Sequence, residues 1–164
     1  MLARLLSLAA CLLFAVSCPA GEPDPGRKVL GCDRGRVAIV DGMGKVELSL
    51  PLKFGGAHDV WLLESGNLLL HTGPATVEEV TAAGKSVWKY TAKPREPKGR
   101  VEIHAFQRLA DGVTMVAESG NRRIVEVDRK GKIVREVPLQ VDHPDPHRDT
   151  RLARKLESGN YLVC

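Results

Sequence analysis

Aromatic residues and cysteines are scarce in this chain, and the shortage excludes several classes of protein. Only 4% of the 164 residues are aromatic, and the four cysteines form neither a CxxC pair nor a cysteine–histidine zinc spacing. Phosphate-binding glycine loops, nucleophile elbows and HExxH motifs are also missing. Basic and acidic residues are interleaved, with a formal net charge of +4, which does not indicate a nucleic-acid partner. The hydrophobic fraction of 43% nevertheless excludes a disordered chain.

The only long apolar run lies at the N-terminus, where residues 1–17 have the layout of a signal peptide. Arg4 precedes the run LLSLAACLLFAV, and the small residues Ala15 and Ser17 stand before the predicted cleavage site. AVSC also resembles a bacterial lipoprotein box, in which Cys18 would carry lipid and tether the protein to a membrane. Lipidation, plain secretion and an uncleaved anchor stay open as alternatives.

Export predicts an extracytoplasmic location, periplasmic or at the cell envelope, or else full secretion. Residues 18–28 contain three prolines and two glycines, so we expect a flexible tether there. In an oxidising compartment Cys32 and Cys164 could form a disulfide, although each also suits a strand as a small apolar residue.

The remaining sequence contains an internal repeat. HDVWLLESGNLLLHTG (58–73) recurs as HAFQRLADGVTMVAES (104–119), at an offset of 46 residues. VEEVTAAGKSVW (77–88) recurs as VEVDRKGKIVR (125–135), at an offset of about 47 residues. A shorter copy, VAIVDGMGKVEL (37–48), precedes these segments, and a partial copy starts at RLARKLESGNYLVC (151–164).

Each copy reads as strands, because short runs of Val, Ile, Leu, Tyr and Trp alternate with Ser-Gly-Asn or Gly-Lys turns. The thirteen predicted strands group as three, four, four and two. Four antiparallel strands in a repeat of this length are typical of a β-propeller blade, which needs neighbours to cover its faces. We therefore predict an all-β fold of about three blades, at approximately 29–54, 56–93 and 100–141, with an incomplete blade at 147–164.

Three blades and a part of another cannot close a ring, since propellers have about four to eight blades. The sequence thus predicts a fragment of a longer protein, with a self-associating half-propeller and an irregular sandwich as the alternatives. The remaining blades of that protein are its expected partners.

The repeats also carry a family resemblance. ESGNRRIVEVDRKGKIVREV (118–137) resembles an NHL repeat, and HDVWLLESGNLLL and VEEVTAAGKSVWKY are similar to blades of PQQ-like and arylsulfotransferase-like propellers. The resemblance covers 29–164 and implies a bacterial extracytoplasmic β-propeller, in which Trp88 and Tyr90 pack between blades. The 104–137 copy departs from it, with Val113 in place of Asn and Arg135 in place of Trp.

The resemblance implies two functions. The first is an exported scaffold that binds a protein or a small molecule at the channel face and requires no cofactor. The alternative is a fragment of an enzyme, either an arylsulfotransferase-like transferase or a quinoprotein oxidoreductase, for which pyrroloquinoline quinone (PQQ) or a divalent cation is a possible cofactor.

His58 and His104 are the candidate catalytic residues. They share a repeat position just before the presumed innermost strand, which lines the channel of a propeller. Histidines there can bind a metal or an anion, or transfer a proton near neutral pH. The resemblance implies a catalytic histidine in the channel, and a purely structural hydrogen bond is the alternative.

The loop before the partial copy supplies the remaining candidates. His143, Asp145 and His147 are possible metal ligands, although the prolines between them favour an extended path that need not bring them together. His147, Arg148 and Arg151 are possible contacts for an anionic ligand. A solvated loop without a binding role is the alternative to both.

Overall fold

Thirteen strands and no helix make up the part of the chain that the structure describes. This computed structural model describes Asp24 and residues 26–164, so the predicted signal peptide, Cys18 and most of the predicted tether lie outside the described residues. Within that part, no helix is long and apolar enough to cross a bilayer. Both described cysteines, the partly buried Cys32 and the exposed Cys164, are free thiols.

In chain order, the strands are β1 (Lys28–Asp33), β2 (Arg36–Asp41), β3 (Val46–Pro51), β4 (Val60–Leu62), β5 (Leu68–Gly73), β6 (Thr76–Val80), β7 (Ser86–Thr91), β8 (Glu102–Arg108), β9 (Thr114–Ser119), β10 (Arg123–Val127), β11 (Ile133–Pro138), β12 (Ala153–Lys155) and β13 (Tyr161–Val163). They form sheets of three, four, four and two strands, in the orders β1-β2-β3, β4-β5-β6-β7, β8-β9-β10-β11 and β12-β13. Every pairing is antiparallel. The described residues form no closed ring, which confirms the predicted all-β, incomplete propeller.

The hairpin turns repeat from sheet to sheet because their residues repeat. Gly44, Gly84 and Gly131 each adopt a positive φ between 77° and 82°, and each donates its backbone N–H to the carbonyl three residues earlier. Glycine adopts this conformation at no steric cost. In the first and third sheets, Asp41 and Asp128 also accept two backbone N–H groups of the turn through Oδ1. These turns join β2 to β3, β6 to β7 and β10 to β11 in equivalent registers.

The hydrophobic core lies between neighbouring sheets. Val37 of the first sheet is fully buried against Leu68 and Leu70 of the second. Met115 of the third sheet packs on Ala153 of the last hairpin. The cluster between the second and third sheets includes Leu69, Val77, Trp88, Tyr90, Phe106, Val116, Val125 and Val127. Because each sheet is covered by its neighbour, the sheets stack in sequence order.

Trp88 and Tyr90 link the second sheet to the third, as the family resemblance implies. Trp88 Nε1 donates to the Asp128 carbonyl over 3.0 Å, and the Tyr90 hydroxyl donates to the Glu118 carboxylate. Glu118 is fully buried and also accepts from Arg123 Nε over 2.6 Å. The aromatic rings therefore contribute polar links as well as apolar area.

The stacking also defines one end of the sheets, at which β4, β8 and β12 begin; we call it the entry end. β12 packs against β8, and the residues that lead into β4 reach the residues at the start of β8. Residues at the starts of these strands are thereby brought together, although they are far apart in the sequence.

A matched pair of leucines tests the packing between sheets. Leu69 is fully buried between the second and third sheets, whereas Leu62, one strand away, is 49% exposed. We expect Leu69→Ala to lower the free energy of unfolding by about 2–5 kcal/mol and Leu62→Ala by about 0.5 kcal/mol or less. Urea denaturation measures both, and equal losses would contradict the described packing.

Candidate functional site

Four of the five histidines of the chain gather at the entry end. The ring centroid of His58 lies 4.8 Å from that of His104, 6.2 Å from that of His71 and 6.4 Å from that of His147. The His104 and His147 centroids are 5.3 Å apart. We call these four residues the histidine cluster; the exposed His143 makes none of these ring contacts.

The cluster draws on three neighbouring parts of the fold. His58 precedes β4 and His71 lies in β5, both in the second sheet, while His104 lies in β8 of the third sheet. His147 lies in the loop between β11 and β12. Stacking of the sheets, rather than any local motif, therefore assembles the cluster.

Irregularities in strand pairing lie at or beside the two buried histidines. In the ladder between β8 and β9, Ile103 pairs with Glu118 and Ala105 pairs with Ala117, which leaves His104 as the extra residue. The ladder between β5 and β6 shifts in the same way, immediately after His71. A bulge redirects side chains and interrupts regular pairing, as is common near binding sites.

A buried carboxylate joins two of the histidines. Glu102 Oε2 lies 3.0 Å from His104 Nε2 and 2.8 Å from His147 Nδ1, and the carboxylate also forms an ion pair with Arg100. Glu102 and His104 are buried, whereas the His147 side chain is 54% exposed. One potential ligand atom from each of Glu102, His104 and His147 lies within 4.8 Å of the other two. We call these three residues the Glu–His–His triad.

The electrostatic setting favours neutral imidazoles beside a charged carboxylate. Burial, followed by the neighbouring His104 and Arg151 charges, lowers the pKa of His58. Burial also lowers the pKa of His104, against the opposing hydrogen bond to Glu102. Burial alone would raise the pKa of Glu102, but hydrogen bonds from His147 and His104 hold it below its usual value. Neutral imidazoles have a lone pair available for a ligand.

His71 is the most deeply enclosed member of the cluster. It is fully buried, its ring centroid lies 4.8 Å from that of Phe106, and neither ring nitrogen has a hydrogen-bond partner among the described residues. The Gly73 backbone is near the ring but does not meet hydrogen-bond geometry. Burial, followed by the charges of His58 and His104, lowers the pKa of His71 to about 3.

The loop that carries His147 is a compact turn. Asp145 Oδ1 accepts the backbone N–H of His147 over 2.8 Å, and the Asp145 carboxylate lies 3.6 Å from Arg148 Nε. Arg151 Nη1 lies 3.3 Å from His147 Nε2 and donates to the His147 carbonyl over 3.2 Å. Of the residues predicted from this loop, the structure brings His147 and Arg151 to the cluster. Asp145 and Arg148 instead interact with each other and with the backbone of the turn. His143 is not a member of the group of close ligand atoms.

Asp59 fixes the segment that carries His58. Its carboxylate accepts from Arg154 Nη1 over 2.9 Å and Nη2 over 3.2 Å, and from the Phe106 backbone N–H over 3.3 Å. The Arg154 guanidinium in turn lies 4.9 Å from the ring centre of Trp61. One carboxylate thus ties the entry of β4 to β8 and β12.

Gly120 permits two loops of the entry end to pack closely. It lies between β9 and β10 with φ of 82°, and a Cβ built there would stand 2.1 Å from the Arg100 carbonyl oxygen and 3.1 Å from Pro146 Cβ. Those loops lead to Glu102 and to His147. Only glycine fits this position without moving the backbone on which the triad depends.

Glu102 and His71 are not among the residues that the sequence patterns predict for the site. Glu102 is two residues before His104, and residues two apart on a strand share a face, which is a usable signal for it. His71 has no such signal, because alanine occupies its repeat position, Ala117, in the next copy. Only the stacking of the sheets shows that His71 belongs to the histidine cluster.

Comparisons with solved structures show a β-propeller fold. A protein of unknown function from Bacteroides caccae is 27% identical, with a TM-score of 0.67 over 83% of this chain and 48% of that one. The WD40 β-propeller domain of Doa1 is 11% identical, with a TM-score of 0.63 over 83% and 43% of the two chains. This chain therefore spans about half the length of these structures.

Virginiamycin B lyase is a further structural neighbour. The selenomethionine-substituted enzyme from Staphylococcus aureus is 11% identical, with a TM-score of 0.54 over 88% of this chain and 57% of that one. A catalytically inactive histidine-to-alanine variant with quinupristin has a TM-score of 0.55 at 16% identity, over 88% and 50%. These likenesses show the fold alone. No protein-family model and no curated protein sequence matches the chain.

The first prediction from the site concerns pH. Since the pKa of His71 is lowered from 6.5 to about 3, the unfolded chain binds the proton more tightly. The contribution of His71 to stability is complete above pH 6.5 and is lost as the pH falls toward 3. Between pH 6.5 and 5.0, we expect the wild type to lose about 1.5 kcal/mol more than His71→Phe. Urea denaturation in EDTA measures this difference, and the exposed His143→Phe should behave like the wild type. Equal pH slopes for wild type and His71→Phe would contradict the burial of His71.

The second prediction compares two glycines. Gly66 has φ of 79° but no atom within 4 Å of an added Cβ, so Gly66→Ala should lose about 1–2 kcal/mol of unfolding free energy. Gly120→Ala should lose clearly more, because the Arg100 carbonyl must move. Chemical denaturation compares the two variants, and a Gly120→Ala loss no greater than that of Gly66→Ala would exclude the close packing of the two loops.

Proposed function

We propose that this chain is part of an exported β-propeller that acts as a binding scaffold and takes an anionic group at the histidine cluster. The observation that carries the proposal is the convergence of four histidines and Arg151 at one end of the stacked sheets. Hydrogen-bond donors and a cation at one end of a propeller suit a small anionic ligand or an acidic side chain of a protein partner.

Arg151 provides the charge that the proposal requires. At the entry end, Arg100 is paired with Glu102 and Arg148 lies beside Asp145. No ion pair among the described residues includes Arg151, which contacts only His147 through its side-chain hydrogen bonds. Its guanidinium is exposed and remains available to an incoming anion.

The wider setting supports export and a larger assembly. The signal-peptide layout of residues 1–17 favours an extracytoplasmic location, with Cys18 as the candidate lipid attachment site. Further blades of the same protein would cover the outer faces of the first and last sheets, where Val29, Val46 and Leu162 are about half exposed. Propeller neighbours include WD40 domains and a lyase, so the fold is compatible with both binding and catalysis.

Catalysis by His58 is the second candidate function. Its lowered pKa leaves the exposed ring unprotonated at neutral pH, as a nucleophile requires. With an aryl sulfate, an imidazole nitrogen would attack sulfur, the S–O bond to the phenolate would break, and a second phenol would then take the sulfuryl group and release its proton to water. Release of coloured 4-nitrophenolate from 4-nitrophenyl sulfate, with phenol as acceptor, tests this candidate. Its loss in His58→Ala would support it, and an absence of turnover by the wild type would exclude it.

A quinone cofactor fits the site poorly. PQQ is a tricarboxylate, and its binding requires several unpaired cations. Arg100, Arg148 and Arg154 at the entry end already face carboxylates. We therefore favour a ligand with a single anionic group.

The binding proposal predicts a specific loss in one variant. Titration calorimetry in EDTA should detect 4-nitrophenyl sulfate binding by the full chain, and added salt should weaken it. Arg151→Ala should weaken it about tenfold, since a charge-assisted hydrogen bond contributes about 1.5–3 kcal/mol. Lys132→Ala removes the same charge at the opposite end of the third sheet and should bind like the wild type. Undiminished binding by Arg151→Ala, or no binding by the wild type, would reject the proposed site.

A further inference from the structure

We infer that the Glu–His–His triad is a binding site for a divalent transition-metal ion of the zinc class. The inference rests on the proposed function, because the ion would leave an open coordination position for the anionic group that this end of the fold receives. It concerns Glu102, His104 and His147, which lie in one strand and one loop of adjacent parts of the fold.

The donor set selects the class of metal. Two imidazoles and one carboxylate form the donor set of zinc sites in which a fourth position stays open for water or substrate. Calcium and magnesium prefer sites made of oxygen ligands, so two histidines disfavour them. Among the described residues, no cysteine belongs to this group of ligand atoms, which separates the triad from a cysteine-rich structural zinc site.

The geometry is close to that of a metal site. Glu102 Oε2 lies 3.0 Å from His104 Nε2 and 2.8 Å from His147 Nδ1. Ligand atoms around a tetrahedral zinc ion with bonds of about 2.0–2.2 Å lie about 3.3–3.5 Å apart. The three ligand atoms all lie within 4.8 Å of one another, and His147, whose side chain is half exposed, has room to adjust its position.

The two buried ligands are held in advance. The bulge in β8 fixes His104, and the hydrogen bond to His104 orients Glu102. Arg100 shares the Glu102 carboxylate, but its own side chain is 72% exposed and can swing into solvent. Positions fixed by the strand lower the conformational cost of binding an ion.

The experiment uses the full chain without a polyhistidine tag, freed of metal by EDTA and desalting. Titration with Co²⁺ should give the visible absorption bands of a low-symmetry, histidine-ligated ion and saturate at one ion per chain. Zn²⁺ should displace the cobalt and raise the melting temperature. His147→Ala and Glu102→Gln should each weaken Co²⁺ binding at least about tenfold. His143→Ala removes an exposed histidine four residues away and is the matched control, which should leave binding unchanged.

Each outcome decides the inference. An absence of cobalt bands and of zinc stabilisation would overturn it, as would equal losses in His143→Ala and His147→Ala. Because 4-nitrophenyl sulfate binding is measured in EDTA, anion binding without metal binding would reject the metal site and leave the proposed function standing. If the chain binds the metal but Arg151→Ala binds 4-nitrophenyl sulfate as well as the wild type does, the proposed function is rejected and the metal site stands.

Discussion

The structure depends on the burial of each sheet against the next. A four-stranded antiparallel sheet with two apolar faces cannot shield both of them, so its stability requires a neighbour on each side. Here the clusters around Val37, Phe106 and Met115 fill successive spaces between sheets. The polar links from Trp88 and Tyr90 cross the same interface.

This constraint also creates the candidate site. Stacking places the starts of β4, β8 and β12 next to one another, and Asp59 ties all three by bonds to Arg154 and Phe106. Residues at the entry end are then enclosed whether or not they are apolar. His71 and Glu102 are buried there against the usual preference of their side chains, which makes that end of the fold chemically distinct.

Much of the fold could be predicted from the sequence, because turn residues recur at intervals of 40 to 47 residues. Gly44, Gly84 and Gly131 mark equivalent turns, and the thirteen strands follow from the runs between them. The candidate site is only partly predictable. The repeat aligns His58 with His104, but it gives no indication of His71, which is buried against Phe106 of the neighbouring sheet. The sequence pattern could not predict which side chains of the loop from 143 to 151 reach the cluster. The turn around Asp145 determines which of them face it.

The central claim is that stacked sheets bring His58, His104 and His147 into a single cluster. The most direct measurement is a nuclear Overhauser experiment on the full chain with labelled histidine rings. The account predicts ring-to-ring contacts from His104 to both His58 and His147, and none from His143. If the histidine ring resonances are resolved but show no Overhauser contact among those three residues, the account is contradicted.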